Sequence, residues 1–331
     1  MGLLSSSIAV GGFVGSIIAG ILTDMGFLNI AIMFPAIPLI IGVLLIGMNL
    51  PNKKQEGKVN VDVPGIVALT IALSGILLAL NYGPRIGWGD VKIIVGFIIG
   101  IIAVFIFVKV ENKSQEPVIP MHLFKNKNYI SLLVVGFICY FYMNAMNTFA
   151  PLAVQKVIGS STAVSGALQM PRTIITIVLP LIAGAWVGKK AQNVWKSMVI
   201  ATLLVGVPLA VLGFTTTNTS VMIYFVAIAI TGIAESFRAV SITPAAQATL
   251  EQKELGVGTS LVNFVNSLSG LMAAVFGIAY DINTKADPQS VSNIAAGVNS
   301  VFLISALVSI VGLAIVLLVV RKQMNAQAKA A

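Results

Sequence analysis

Glu235 and Arg238 stand three residues apart inside an apolar run, and this pair is the feature of the sequence best suited to chemistry. Side chains at i and i+3 of a helix are neighbours, so the two can pair directly. Desolvation and a nearby arginine act on a carboxyl group in opposite senses. The pair therefore reads either as a protonation switch or as a permanent salt bridge. A second arginine, Arg172, follows Pro171 in another apolar run. In hydrocarbon such a group must face the bundle interior, in a gating or charge-balancing role, or snorkel outward.

Two sets of amides suggest a binding wall. Tyr140, Asn144 and Asn147 recur at i, i+4 and i+7 and so share one helical face, flanked by Phe141, Tyr142, Met143 and Met146. Buried amides are costly in a membrane unless they are paired or face a wet cavity. Aromatic and methionine side chains adapt to apolar ligands of varied shape. Thr259, Asn263, Asn266 and Gly270 form a second polar stripe and a candidate opposite wall. Interhelical hydrogen bonding without a ligand is the other reading of both sets. His122, beside Lys125, reads as a solvated loop residue. Cys139 is the only cysteine, so no intrachain disulfide can form. No metal-ligating cluster, Walker loop or dinucleotide fingerprint stands out, and neither cofactor nor enzymatic activity is expected.

The elements that must position these residues are ten long apolar segments: 3–22, 27–49, 65–83, 92–109, 129–153, 165–187, 197–214, 220–244, 257–280 and 297–320. A hydrocarbon core of about 30 Å needs roughly 20 helical residues. With 57% apolar and 9% charged residues, the chain reads as an all-α polytopic membrane protein. A transmembrane barrel would alternate over shorter segments. The net charge of +9 does not indicate nucleic acid, because the basic residues sit at helix ends. Gly2 and Asn218 begin acylation and glycosylation patterns, but Gly2 already leads into an apolar helix.

Assigning loops to alternate sides sorts the lysines and arginines. Lys53, Lys54, Lys58, Lys109, Lys113, Lys125, Lys127, Lys189, Lys190, Lys196, Lys253, Arg321, Lys322 and Lys329 fall on one side. Arg85, Lys92, Lys156 and Lys285 fall on the other. The positive-inside rule makes the first side cytoplasmic, with both termini there. A plasma-membrane location is expected.

Four stretches resemble the Major Facilitator Superfamily, in its fourteen-helix drug:proton antiporter branch. The first segment runs Gly11-Gly12-Phe13-Val14-Gly15-Ser16 to Gly20, then Leu22-Thr23-Asp24, and is similar to the glycine-rich antiporter motif of that branch's fifth helix. Asn81-Tyr82-Gly83 with Gly87-Trp88 resembles a branch signature. Glu116-Pro117 to Pro120, followed by Leu123 to Tyr129, resembles the entry to the C-terminal lobe. Gly166, Pro171-Arg172 and Gly184 fall at familiar places in the sixth segment.

The resemblance implies a major-facilitator-like bundle with an incomplete N-terminal lobe, matching helices five to fourteen. Residues 1–50 would be two helices of that lobe, 51–128 a linker with two extra lipid-facing helices, and 129–331 the six-helix C-terminal lobe. It implies proton-coupled efflux of drugs or amphipathic, often cationic, compounds. Tyr140, Asn144, Asn147, Asn263 and Asn266 would line the substrate cavity. Glu235, Arg238 and Arg172 would couple protons or gate. Gly11, Gly15, Ser16 and Gly20 would form a small-residue packing surface. The expected partners are a small-molecule substrate, protons, the bilayer and a chain supplying the missing N-terminal helices, but no nucleic acid. A specific metabolite transporter and a non-transporting membrane subunit or degenerate fragment are the alternatives.

Overall fold

The computed structural model describes residues 2–49, 62–114 and 117–330. Lys53, Lys54, Lys58 and Glu116, used in the charge and signature readings above, lie outside the described residues, as do the side chains of Ser16, Thr23, Asp24, Arg85 and Lys329 and the surroundings of Gly20. Among the described residues every regular element is helical. The α-helices are α1 Gly2–Asp24, α2 Leu28–Met33, α3 Ala36–Asn49, α4 Val63–Ile86, α5 Val91–Glu111, α6 Lys127–Asn144, α7 Ala150–Lys156, α8 Thr162–Ala167, α9 Met170–Gly188, α10 Gln192–Leu212, α11 Val221–Gln247, α12 Leu255–Leu268, α13 Met272–Thr284, α14 Val291–Ile315 and α15 Arg321–Ala330.

Eight helical paths among the described residues are long and apolar enough to cross a membrane, against ten expected. The other two expected segments are helical as well: α1 runs Gly2–Asp24, although several side chains past Gly15 lie outside the described ones. The expected segment 257–280 is not one helix: α12 ends at Leu268, a 3-10 turn spans Ser269–Leu271, and α13 restarts at Met272. Prolines interrupt other paths. Pro35 separates α2 from α3, and Pro171 opens α9 after the turn that closes α8. Between α6 and α7 the chain widens into a π-helical segment, Ala145–Phe149. Pro151 has no N–H to return to the preceding turn, and a wider turn accommodates that loss.

Local sequence chemistry sets the ends. Asp62 caps α4, its Oδ1 accepting from the Gly65 N–H at 2.9 Å. Asp90 caps α5 in the same way, accepting from Lys92 N–H at 2.8 Å. Asn126 caps α6, accepting from the N–H groups of Asn128 and Tyr129. α4 and α5 form a hairpin whose backbones nearly touch: a Cβ on residue 75 would stand 2.8 Å from the Gly96 carbonyl oxygen. Small residues permit such contact, and dispersion then replaces lipid contact as the source of stability. The outer faces of this hairpin, with Ile98, Ile101 and Phe105, remain exposed as expected for lipid-facing helices.

The core lies among α6, α10, α11, α13 and α14, where Phe141, Phe149, Tyr224, Phe276 and Phe302 are buried. Phe276 meets Phe141 edge-on at 4.8 Å between ring centres. One end of the bundle is tied by long-range hydrogen bonds. Asn126 Nδ2 donates to the Thr249 carbonyl at 3.1 Å, and Tyr129 OH to the Gly258 carbonyl at 2.7 Å. His122 pairs with Glu254 at the same end, so this histidine is a tether between the segment before α6 and the loop before α12. Arg321 also lies there, over the Trp195 ring. At the opposite end Thr215 bonds Tyr224 OH at 2.8 Å, and Asn299 Nδ2 donates to the Thr215 carbonyl at 2.9 Å.

Candidate functional site

A cavity of about 860 Å³ opens between α1, α6 with its π segment, the α8–α9 turn and α11. Its position follows from two close helix approaches. Gly232 on α11 is one: a Cβ there would stand 3.0 Å from both the Cα and the carbonyl oxygen of Arg172. Only glycine lets α9 come this near, and the approach sets Arg172 beside Glu235 and Arg238, less than two turns further along α11. Gly2 is the other, since a Cβ there would lie 2.6 Å from the Pro180 carbonyl oxygen. It seats the start of α1 on α9. No packing role was legible from sequence for either glycine, since 30 glycines look alike in that respect.

The charged residues of the sequence reading converge here. Arg238 grips Glu235 with both arms of its fork: Nε donates to Oε2 at 2.9 Å and Nη2 to Oε1 at 2.5 Å. This is the bidentate arrangement that a guanidinium and a carboxylate favour. The Arg238 guanidinium also stands 4.2 Å from the centre of the Tyr140 ring, stacked over its face. The arginine side chain is 8% exposed and the glutamate 15%, so the pair is desolvated. Breaking such a pair leaves an uncompensated buried charge.

Arg172 turns into the cavity rather than outward along α9. Its Nη2 lies against the Met143 sulfur, and its Nη1 is 3.5 Å from Gln169 Oε1. Its guanidinium carbon is 5.9 Å from the centre of the Tyr142 ring. Met143 and Asn147 complete the α6 side, while Ile8, Ala9 and Phe13 of α1 supply apolar surface.

The amide stripes divide. Tyr140 and Asn147 reach the cavity, but Asn144 does not line it: its Nδ2 donates to the Ser269 carbonyl at 3.2 Å. The π segment Ala145–Phe149 lies between Asn144 and Asn147 and changes the angle between them from that of a regular α-helix. Asn263 is exposed on α12. Asn266 is buried where α12 meets α6, its Oδ1 3.1 Å from where a Cβ on Gly136 would stand. Thr259 accepts from Gln247 Nε2 at 2.8 Å. The second wall is therefore built by α9 and α11, not by α12. Among the described residues, no heavy atom stands within 4 Å of a Cβ position on Gly11 or Gly15 of the expected packing surface.

Residues 1–274 match the family model described as Major Facilitator Superfamily. Among curated proteins, the chain is 31% identical over 245 residues to the multidrug transporter protein MdtP of Bacillus subtilis, covering 72% of this chain and 43% of that one. It is 27% identical to the quinolone resistance protein NorB of Staphylococcus aureus, covering 92% of this chain and 65% of that one. Multidrug resistance protein 3 of Bacillus subtilis is 24% identical, over 83% of this chain and 54% of that one. The chain spans about half the length of the curated relatives it matches.

Proposed function

The chain belongs to the Major Facilitator Superfamily, an integral membrane family, and we propose that it forms the cavity-bearing part of a proton-coupled exporter of amphipathic small molecules. The cavity is the observation that carries this reading. It combines a desolvated Glu235–Arg238 pair, the amide of Asn147 and the adaptable surfaces of Met143 and Phe13. Sites of this size and mixed lining suit drug-sized ligands. The similarity to two proteins named for multidrug transport or resistance, and one for quinolone resistance, points the same way.

In this reading residues 129–331 are one lobe of an alternating-access transporter, residues 1–50 belong to the other, and the α4–α5 hairpin lies in the linker between them. Glu235 is the proton acceptor. Protonation removes its charge, releases the Arg238 fork and lets α11 shift against α6, while Arg172 offsets the negative charge when the proton leaves. Transport by rocking of two lobes about a central site needs both lobes. Helices supplied by the rest of a longer polypeptide, or by a partner chain, complete the far side of the cavity. Both termini face the cytoplasm of a plasma-membrane protein, as the distribution of lysine and arginine implies.

Reconstitution tests this. The 331-residue chain alone in liposomes is expected to give no substrate-dependent proton flux. Co-reconstitution with a family N-terminal helix segment should give flux that Glu235→Gln abolishes. Flux from the combined chains that persists in Glu235→Gln would overturn the proton role. Cysteines replacing Lys125, Lys190 and Lys322 should be shielded from an impermeant external thiol reagent in cells, and one at Lys285 should react. Cys139 is buried and contributes little background. Labelling at Lys125 would reverse the orientation.

A further inference from the structure

The reading of the cavity as a substrate site leaves open which charge that substrate carries, and the lining answers it. Three ionisable charges face the cavity: Glu235, Arg238 and Arg172. Both Glu235 oxygens are taken by Arg238, so that pair is neutral as a unit. Arg172 is left over. Among the described residues its near contacts are all uncharged: the Gln169 amide oxygen, the Met143 sulfur and the Tyr142 ring. Glu235 acts on Arg172 only at longer range because Arg238 holds both its oxygens, so the wall carries one positive charge in excess, which an incoming anion would offset.

Two further observations agree. Gln169 turns its oxygen toward Arg172, and among the described residues its Nε2 has no acceptor. An unsatisfied donor beside a cation is the complement of an oxyanion, which Nε2 would meet once the side chain turns to admit it. The Tyr140 face, which would otherwise attract a substrate cation, is already covered by Arg238 at 4.2 Å. The apolar residues Ile8, Phe13 and Met143 remain for the body of the ligand.

We propose that this wall binds the anionic group of an amphipathic substrate, an organic carboxylate held by the Arg172 fork with Gln169 Nε2 as a second donor. The resemblance to the antiporter branch implied compounds that are often cationic. The charge balance around Arg172 selects the opposite sign, with the Glu235 charge masked by Arg238.

The test uses two probes of the same bulk, pyrenebutyrate and a pyrenebutyl-trimethylammonium salt, both tritiated. Equilibrium binding is measured to the purified 331-residue chain in uncharged detergent, with protein-free micelles subtracted. The carboxylate is expected to bind about tenfold more tightly than the ammonium. Arg172→Gln should remove that difference by weakening the carboxylate alone, and Arg172→Lys should restore part of it. Gln169→Leu should weaken the carboxylate with little change in the ammonium. The wild-type comparison needs no variant to fold. Tighter binding of the ammonium, or a preference unchanged in a folded Arg172→Gln chain, would overturn the anion site and leave the cavity reading standing. Binding of neither probe above the micelle background would overturn both.

Discussion

The Asn144 side chain donates to the Ser269 carbonyl at 3.2 Å, joining the end of α6 to the 3-10 turn that separates α12 from α13. That turn exposes backbone carbonyls which a continuous helix would have used, and the asparagine satisfies one of them. An interhelical bond of this kind contributes about 0.6–1.7 kcal/mol in a membrane protein. Asn147, three residues on, lines the cavity. The two asparagines should therefore separate cleanly. Asn144→Leu is expected to lower thermal stability in detergent by about 1 kcal/mol while leaving the probe preference unchanged. Asn147→Leu should do the reverse, with stability retained and ligand affinities altered. Equal loss of stability in both variants would return Asn147 to a structural role.

This division could not be read from spacing. Positions 144 and 147 share a face on a continuous α-helix, and only Pro151 hinted that the helix might not be continuous. The pairing of Glu235 with Arg238 was legible because it is local: i, i+3 geometry needs no knowledge of the fold. The placement of Arg172 beside that pair was not, since it depends on Gly232 admitting α9, and sequence does not distinguish one helical glycine from another. The apolar lengths gave the membrane class and nearly all spans. The break within 257–280 was not legible, because apolar character persists through Ser269–Leu271 although the α-helix does not. Burial of Asn266 against Gly136, and the exposure of Asn263, likewise rest on which neighbour α12 chooses.

Glu235 and Arg238 make a sharper prediction about stability. Removing one partner of a desolvated pair costs about 3–5 kcal/mol, because the remaining charge is left buried. Replacing both with apolar residues of similar volume is often neutral. Glu235→Leu is thus expected to abolish accumulation of folded protein, whereas Glu235→Leu with Arg238→Met should recover most of it. The double variant should also lose the Tyr140 stacking contact, so recovery need not be complete. The measurement is the midpoint of thermal unfolding for the two variants in the same detergent. A single Glu235→Leu variant as stable as the parent would show that Arg238 finds another counter-charge.

His122 and Glu254 supply the pH dependence outside the bilayer. The hydrogen bond from the histidine holds the Glu254 carboxyl below the usual carboxylate range, with a smaller contribution from the Glu251 backbone N–H; charges on His122 and Lys253 act in the same sense. The other Glu254 oxygen accepts from that N–H at 3.3 Å, and Lys253 pairs with Glu251 at 2.9 Å, so the loop before α12 is organised around this contact. A carboxyl whose folded pKa is depressed adds stability above its unfolded pKa and loses it as pH falls through the folded one. The tether should therefore hold at neutral pH and be lost only as pH falls through the depressed Glu254 carboxyl, below the ordinary glutamate range. Hydrogen exchange of residues 119–127 should be slow at pH 6 and rise on acidification through that range more than exchange of α10. In His122→Ala the same segment should exchange faster already at pH 6, with the acid-dependent step reduced. An acid-dependent step of full size in that variant would mean that the tether does not govern the segment.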